Sequence, residues 1–336
     1  MKTSIRWASG QRNLLEKLDI DIERCFHEAG ISREQWSDSS VFIDEALLHR
    51  FYEKCLEAYD CDPFIGILMG EQLSLQYTGY LGLALVSAPT YGDAIQLTVD
   101  FPRITGLAFC YSNTILEDEY VLSLAPKKSD YSGLFEFFCN YNVAGIYKTG
   151  REMADSSSPI NKVRFMHTDT KNQTRYEKHF DCDIGFGADR NEVFMPIERL
   201  TAIPPRSDPE IYTLMYERCK ALNSRLSADE KFSDKIERIL LTSESDAWSI
   251  NDIASQLYVS TRTLKRRLEA EDTNFTELIS RFRESLAKEY LLHSQLKVDS
   301  IALKLGYSSG SSFGQAFKQW VGMSPSEYKE QHEIGS

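Results

Sequence analysis

Four positive charges crowd residues 261–267, where Arg262, Lys265, Arg266 and Arg267 stand with Thr261 and Thr263 around a single Leu264. A guanidinium pairs bidentately with guanine in the major groove of DNA, and arginine or lysine neutralises phosphates. A basic helix face can also be plainly solvated, so the cluster gains meaning only from what positions it. A sparser polar set follows at Ser309, Gly310, Ser311, Ser312, Gly314, Gln315 and Lys318. Glutamine suits adenine and lysine suits phosphate, but no arginine is available there for guanine. Ser249, with Asp252 three residues on, has the pattern of a capping box, and helix N-termini of this kind attract phosphate.

Catalytic and metal chemistries find less support. The seven cysteines (Cys25, Cys55, Cys61, Cys110, Cys139, Cys182 and Cys219) are odd in number and show no Cys-x-x-Cys spacing, which reads as reduced, packed thiols. His179 precedes Cys182 by three residues, the one pairing that could make an alkyl-acceptor thiol, but no Pro-Cys-His-Arg motif accompanies it. Gly-rich phosphate loops, Gly-x-Ser-x-Gly elbows and His-Glu-x-x-His helices are missing, so no catalytic residue, metal or cofactor is expected. His49, His167, His179 and His293 read as isolated surface or core residues.

The elements around the basic cluster form an internal repeat. Ile253-Ala254-Ser255-Gln256-Leu257 recurs as Ile301-Ala302-Leu303-Lys304-Leu305, and the apolar pair Leu264 and Leu268 recurs as Phe313 and Phe317. A small residue where a second helix crosses, a tight turn, and anchors four residues apart are the logic of a helix-turn-helix. Gly306 suits a turn with positive φ. Phe275, Leu278, Ile279, Phe282, Leu286, Tyr290 and Leu291 trace one long helix between the two units. This stretch, from about residue 231 on, is all helix by pattern.

The remainder is of another kind. Helical spacing marks residues 14–18, 42–56 and 64–75, Thr90 with Asp93 starts another helix, and a further helix covers 133–153. Strand patterns mark 115–116, 120–124, 162–167 and 192–195. The expected class is therefore an α+β N-terminal sensor domain (1–205), then a junction and helix (206–230), and an all-α C-terminal domain (231–332) with two helix-turn-helix units joined by a long helix. Three prolines within residues 204–209 break regular structure at the junction. Beyond them Ile211, Leu214, Met215, Cys219, Leu222 and Leu226 form a stripe that either packs on its own domain or makes a homodimer.

Charge divides along the same line. The chain has a net charge of -12, yet residues 231–330 hold 14 of its 38 basic and 14 of its 50 acidic residues and are neutral. The acidic remainder would be repelled by a duplex, which confines DNA contact to the C-terminal region. With no signal-peptide pattern and no apolar run of membrane-spanning length, a cytoplasmic protein without membrane contact is expected.

Residues 249–328 resemble the AraC/XylS family of bacterial transcription regulators. The likeness lies in Ser249-Ile250-x-x-Ile253-Ala254, in Val259-Ser260-x-Arg262-x-Leu264-x-Arg266-x-Leu268, and in Ile301-Ala302-x-x-Leu305-Gly306-Tyr307. It continues through Ser312-Phe313-x-x-Ala316-Phe317-Lys318-x-Trp320 and Gly322-x-Ser324-Pro325-x-x-Tyr328. The resemblance implies two recognition helices in successive major grooves. Arg262, Lys265 and Arg266 would then read bases from the first unit, and Ser311 and Gln315 from the second. Ser249, Thr261, Arg267 and Lys318 would hold phosphates. Gln315 stands where many members carry arginine, and Lys297 where a serine or threonine would cap the helix.

Pieces of the N-terminal region are similar to the arabinose-binding-type domain of a subgroup that includes ornithine-utilisation regulators: Gly79-Tyr80-Leu81-Gly82, Ala88-Pro89-Thr90 and Phe180-x-Cys182-x-Ile184-x-Phe186-Gly187-Ala188. They imply a small-molecule effector whose contact residues are unknown. The expected partners are promoter DNA, that effector, RNA polymerase if the protein activates, and a second copy if the stripe dimerises. An N-terminal domain that serves only dimerisation or a protein partner is the alternative.

Overall fold

The computed structural model describes residues 2–333 except 6–7, 9, 39–40, 74, 76–78, 102–103, 105–108, 127–132, 155–157, 169–172, 229–230, 243–247 and 295. The N-terminal part runs β1 (Lys2–Ser4), α1 (Arg12–Lys17), α2 (Ile22–Ala29), α3 (Arg33–Ser37), β2 (Phe42–Asp44), α4 (Glu45–Ala58), α5 (Ile65–Gly70), α6 (Tyr80–Ser87) and α7 (Tyr91–Asp100). It continues with β3 (Phe109–Leu116), β4 (Glu119–Pro126), α8 (Phe135–Ala154), β5 (Lys162–Arg164), α9 (Gln173–His179), β6 (Asp183–Gly185) and β7 (Asn191–Pro196). The junction helix α10 (Pro209–Ala228) follows, and then α11 (Phe232–Thr242), α12 (Ile250–Gln256), α13 (Thr261–Glu269), α14 (Phe275–His293), α15 (Val298–Lys304), α16 (Gly310–Val321) and α17 (Pro325–Glu333).

Strands β3 to β7 form one sheet in the order β3-β4-β7-β5-β6, antiparallel except for β5 beside β6. Strand β4 is covered on both faces, with Val121 fully buried and Leu122 and Leu124 nearly so. The register pairs Tyr111 with Leu124 and Ser112 with Ser123, so the two tyrosine-side and the two serine-side positions lie on opposite faces.

Several local expectations change. Residues 42–44 are not helical: they pair antiparallel with β1, and α4 begins only after Asp44, whose carboxylate accepts from the Ala46 amide at 2.9 Å. The helix expected over 64–75 ends at Gly70. The strand expected over 162–167 stops at Arg164, because the Met166 amide turns to the Asn191 side chain (2.9 Å) instead of a ladder partner. Thr90 does cap α7, accepting from the Asp93 amide at 3.1 Å.

Helices α5 and α8 cross closely enough to need glycine. A Cβ on Gly70 would stand 2.5 Å from the Tyr141 carbonyl oxygen and 2.8 Å from the Ala144 Cβ. The junction helix packs on α6 through Met215, Cys219, Tyr212 and Tyr216, whereas Ile211 and Leu214 of the expected stripe face solvent. No helix among the described residues is long and apolar enough to cross a membrane.

Replacing Gly70 by alanine forces α5 away from α8 and should destabilise the chain by about 1–3 kcal/mol, the usual range for overpacking. Urea unfolding followed by far-ultraviolet circular dichroism measures it; an unchanged midpoint would contradict so close a crossing.

Candidate nucleic-acid interface and the cavity behind it

Two helix pairs, α12–α13 and α15–α16, close their turns in the same way. In the first, the Tyr258 amide donates to the Ser255 carbonyl (3.0 Å) and the Val259 amide to Ala254 (2.9 Å). In the second, Gly306 donates to Leu303 (2.9 Å) and Tyr307 to Ala302 (2.9 Å). Both are Schellman turns, which require a left-handed residue after the helix. Gly306 supplies it at φ 75°, while the first unit places Tyr258 there at φ 52°, a residue 96% exposed.

Ser260 and Ser309 then cap the second helices, accepting from the amides of Thr263 (3.1 Å) and Ser312 (3.2 Å). Leu264 and Leu268 are fully buried, as are Phe313 and Phe317, and these anchors fix which faces turn outward. On α13 the outward face holds Arg262, Lys265 and Arg266, all exposed and spaced three and four apart. On α16 it holds Ser311, Gln315 and Lys318, also exposed. Thr261 is half-buried at the first turn of α13. Arg267 is exposed but leans over the Phe232 ring, 5.0 Å from its centroid, on the α11 side. Ser249 caps α12, accepting from the Asp252 amide at 3.2 Å, and its hydroxyl donates to the Asp252 carboxylate rather than completing a reciprocal box. Lys297 precedes α15 without a side-chain cap, as its type dictates.

The two glycines of α16 have different reasons. A Cβ on Gly310 would collide with the Asp299 carboxylate, whereas one on Gly314 would meet nothing within 4 Å. Helix α14, of 19 residues, holds the units apart. At 1.5 Å per residue it is roughly 28 Å long, close to the roughly 34 Å between successive major grooves on one face of DNA. Its Arg283 lies over the rings of Trp248 (5.8 Å) and Tyr307 (5.1 Å), one from each unit, and so ties their orientation.

Behind this surface the C-terminal helices seat on the sheet. Helix α11 packs on β3 and β4, Tyr290 of α14 packs against the N-terminal core, and Lys304 pairs with Asp189 at 3.1 Å. Ser112 and Ser123 face a small interface cavity of about 60 Å³ that Leu240, Phe282 and Lys304 close from the other side. The opposite face of the same hairpin lines a larger cavity of about 120 Å³, with Tyr111 and Leu122 on its floor and Asn142, Ile146 and Thr149 of α8 opposite. Leu81 and Leu85 of α6 and Ala94 of α7 form a further wall. Leu81, Leu85 and Ala94 belong to the stretches that resemble the arabinose-binding-type domain, where nothing marked them as lining a cavity. The one available signal was in α8, where Asn142, Gly145, Thr149 and Gly150 interrupt an apolar helix.

Burial, aided by the Asp183 and Asp181 carboxylates, pushes the Cys182 thiol up to about 11, and His179 pairs with Glu71 at 3.0 Å rather than with Cys182. Cys25, Cys55, Cys139 and Cys219 are buried and Cys61 is exposed; the Cys110 and His293 side chains lie outside the described residues. His167 is fully buried with Nε2 3.1 Å from Asn140 Oδ1, and His49 lies 3.6 Å from Glu45.

Over residues 20–201 the chain matches the family described as the arabinose-binding domain of AraC transcription regulator, which is more than half of its length. The chain belongs to the AraC family of transcription regulators. Residues 253–331 match a helix-turn-helix domain family, so this regulator binds DNA through the C-terminal helices. It is 27% identical over 269 residues to the ornithine utilization regulator of Pseudomonas aeruginosa, covering 80% of this chain and 79% of that protein. The HTH-type transcriptional regulator VqsM of the same organism is 23% identical over 272 residues, covering 79% of this chain and 83% of its own length. The crystal structure of the transcriptional regulator CdpR from Pseudomonas aeruginosa shares the fold, with a TM-score of 0.52, 24% identity, and 98% of this chain and 99% of that one covered.

The asymmetry of the two α16 glycines is directly measurable. Gly314→Ala should raise stability by about 1 kcal/mol from helix propensity alone, while Gly310→Ala should gain less, because the exposed Asp299 carboxylate must turn aside. Thermal unfolding of both variants checks the pair; an equal or larger gain for Gly310→Ala would refute the packing argument.

Proposed function

We propose that the chain is a one-component regulator in which a small effector, bound in the 120 Å³ cavity of the N-terminal part, sets how the helix-turn-helix pair engages a promoter. The observation that supports it is the shared β3–β4 hairpin. Tyr111 and Leu122 line the cavity, and the adjoining Ser112 and Ser123 line the seat of the C-terminal helices. A ligand shifts such an equilibrium only by binding two arrangements with different affinity, and the hairpin gives the cavity and the seat a common wall.

In this reading residues 1–205 sense, 206–230 join and 231–332 bind DNA. Arg262, Lys265 and Arg266 read bases from α13, and Ser311 and Gln315 from α16. Ser249, Thr261, Arg267 and Lys318 contact phosphates, Arg267 from the α11 flank. The solvent-facing Ile211 and Leu214 of α10 favour a homodimer, with 45% and 55% of their surfaces exposed. A role as activator, through contact with RNA polymerase, completes the proposal, and the protein acts in the cytoplasm beside its promoter and performs no catalysis.

Substitution at the reading face tests this. Arg266→Ala should weaken specific binding by about 1–3 kcal/mol and relax preference at one base pair. Gln315→Ala should cost less, since a lone amide replaces the arginine of the first unit at that place in the repeat. Fluorescence anisotropy on specific and random duplexes measures both. Equal losses of Arg266→Ala on the two duplexes would remove it from the base readers, and a dominant second half-site would reverse the ranking of the units.

A further inference from the structure

We propose that the cavity takes an uncharged, mainly apolar molecule, of about one aromatic ring in size, with one or two hydrogen-bonding atoms. The inference rests on the effector reading above and specifies the chemistry of that effector.

The wall is the first argument. None of its described residues is Asp, Glu, Lys, Arg or His. A zwitterion or a carboxylate would lose its hydration there without a counter-charge, and a buried unpaired ion is strongly disfavoured. The polar groups that do line the cavity are largely engaged within the protein. The Tyr111 hydroxyl donates to Asn142 Oδ1 at 3.0 Å, and Thr98 Oγ1 donates to the Ile95 carbonyl at 2.6 Å. The Tyr141 hydroxyl lies in a buried cluster with Tyr52 (3.3 Å) and Gln11 (3.5 Å). A polyol such as a sugar brings several hydroxyls, each needing a partner once buried, and the hydroxyl hydrogens of Tyr111 and Thr98 are already donated within the protein.

Asn142 and Thr149 are the exceptions. The Asn142 amide donates one N–H to the Phe138 carbonyl at 2.8 Å and carries a second, so it can serve one acceptor on a ligand, and the Thr149 hydroxyl can serve one more polar atom. Around it Leu122, Ile146, Met153, Val193 and Met195 supply apolar contact. The volume sets the size. At about 120 Å³ the cavity is slightly smaller than the aliphatic cavity of roughly 150 Å³ that accepts benzene in an engineered protein.

The test is a thermal-shift series on the full chain, with acetophenone as the neutral probe. Benzoate, benzylamine, L-arabinose and L-ornithine serve as charged and polyhydroxylated probes. Two filled variants, Thr149→Phe and Val193→Phe, approach the cavity from opposite walls, so one folding failure leaves the other usable. Acetophenone at about a hundred times its dissociation constant should raise Tm by about 5 °C or more, the other probes should leave it nearly unmoved, and a folded filled variant should lose the acetophenone shift. A larger shift with a charged probe or L-arabinose, abolished by filling, would overturn the ligand class while leaving effector sensing intact. An acetophenone shift that survives filling would overturn the site. If no probe shifts Tm and native mass spectrometry of the chain incubated with cell metabolites retains none, the effector reading falls as well.

Discussion

The two faces of the β3–β4 hairpin are the constraint from which the rest follows. Side chains alternate along a strand, so Tyr111 and Leu122 necessarily point away from Ser112 and Ser123. One face closes the cavity under α8 and the other receives α11 and α14. A slip of one residue would put the tyrosine into the interface and the serine into the cavity. The pairing of eight residues on each strand, from Phe109 with Pro126 to Leu116 with Glu119, holds that register. Because both faces are covered, neither strand can be displaced without disturbing packing on its far side, and close-packed interiors transmit such strain.

Net charge says little here, but its distribution does. The acidic N-terminal part and the neutral C-terminal part meet at a contact in which Lys304 of α15 is drawn to Asp189. That pair is partly exposed, so its strength is modest and salt-sensitive. Apolar contacts, led by Leu240, Phe282, Leu286 and Tyr290, carry more of the seat. The contact leaves the outward faces of α13 and α16 open, so docking on the sheet does not cover them.

The C-terminal architecture was legible because its signals are local. The caps, the left-handed turn and the four-residue anchor spacing each lie within a dozen residues, and the repeat states them twice. Tyr258 was legible only as a partner of Gly306 in that repeat, since its type does not announce a positive φ. The N-terminal part was harder for the opposite reason. Strands β1, β2 and β6 are three residues long and exist only through their partners, which no periodicity records. Strand β4 was legible over 120–124 even though it is buried on both faces. The cavity draws on α6, α7, α8, β3, β4 and β7, so no stretch of chain contains enough of it to be recognised. The stripe on α10 was real but divided, with Met215 and Cys219 packed on α6 and Ile211 and Leu214 turned outward.

Helix α11 is where the cavity and helix α13 come closest in mechanical terms. Its flank rests on β3 and β4, whose other face is the cavity floor. Its start lies four residues after the end of α10, the helix that packs on the cavity wall formed by α6. Its first turn is capped by Glu271 from the turn after α13, through the amides of Phe232 and of Ser233, the latter at 2.9 Å. Burial works against that carboxylate, yet the two amides hold it below the usual carboxylate range, so the cap stays charged and in place. Arg267 of α13 lies over the ring of Phe232 as well. A displacement of the hairpin or of α10 therefore arrives at one helix, and that helix grips the element carrying Arg262, Lys265 and Arg266. Among the described residues the second unit meets the N-terminal part through Lys304 and through Tyr290, which packs against both cores, and it is oriented through Arg283 and α14. Under the proposed function, the arginine-rich unit is both the more selective reader and the one that an occupied cavity would reach first.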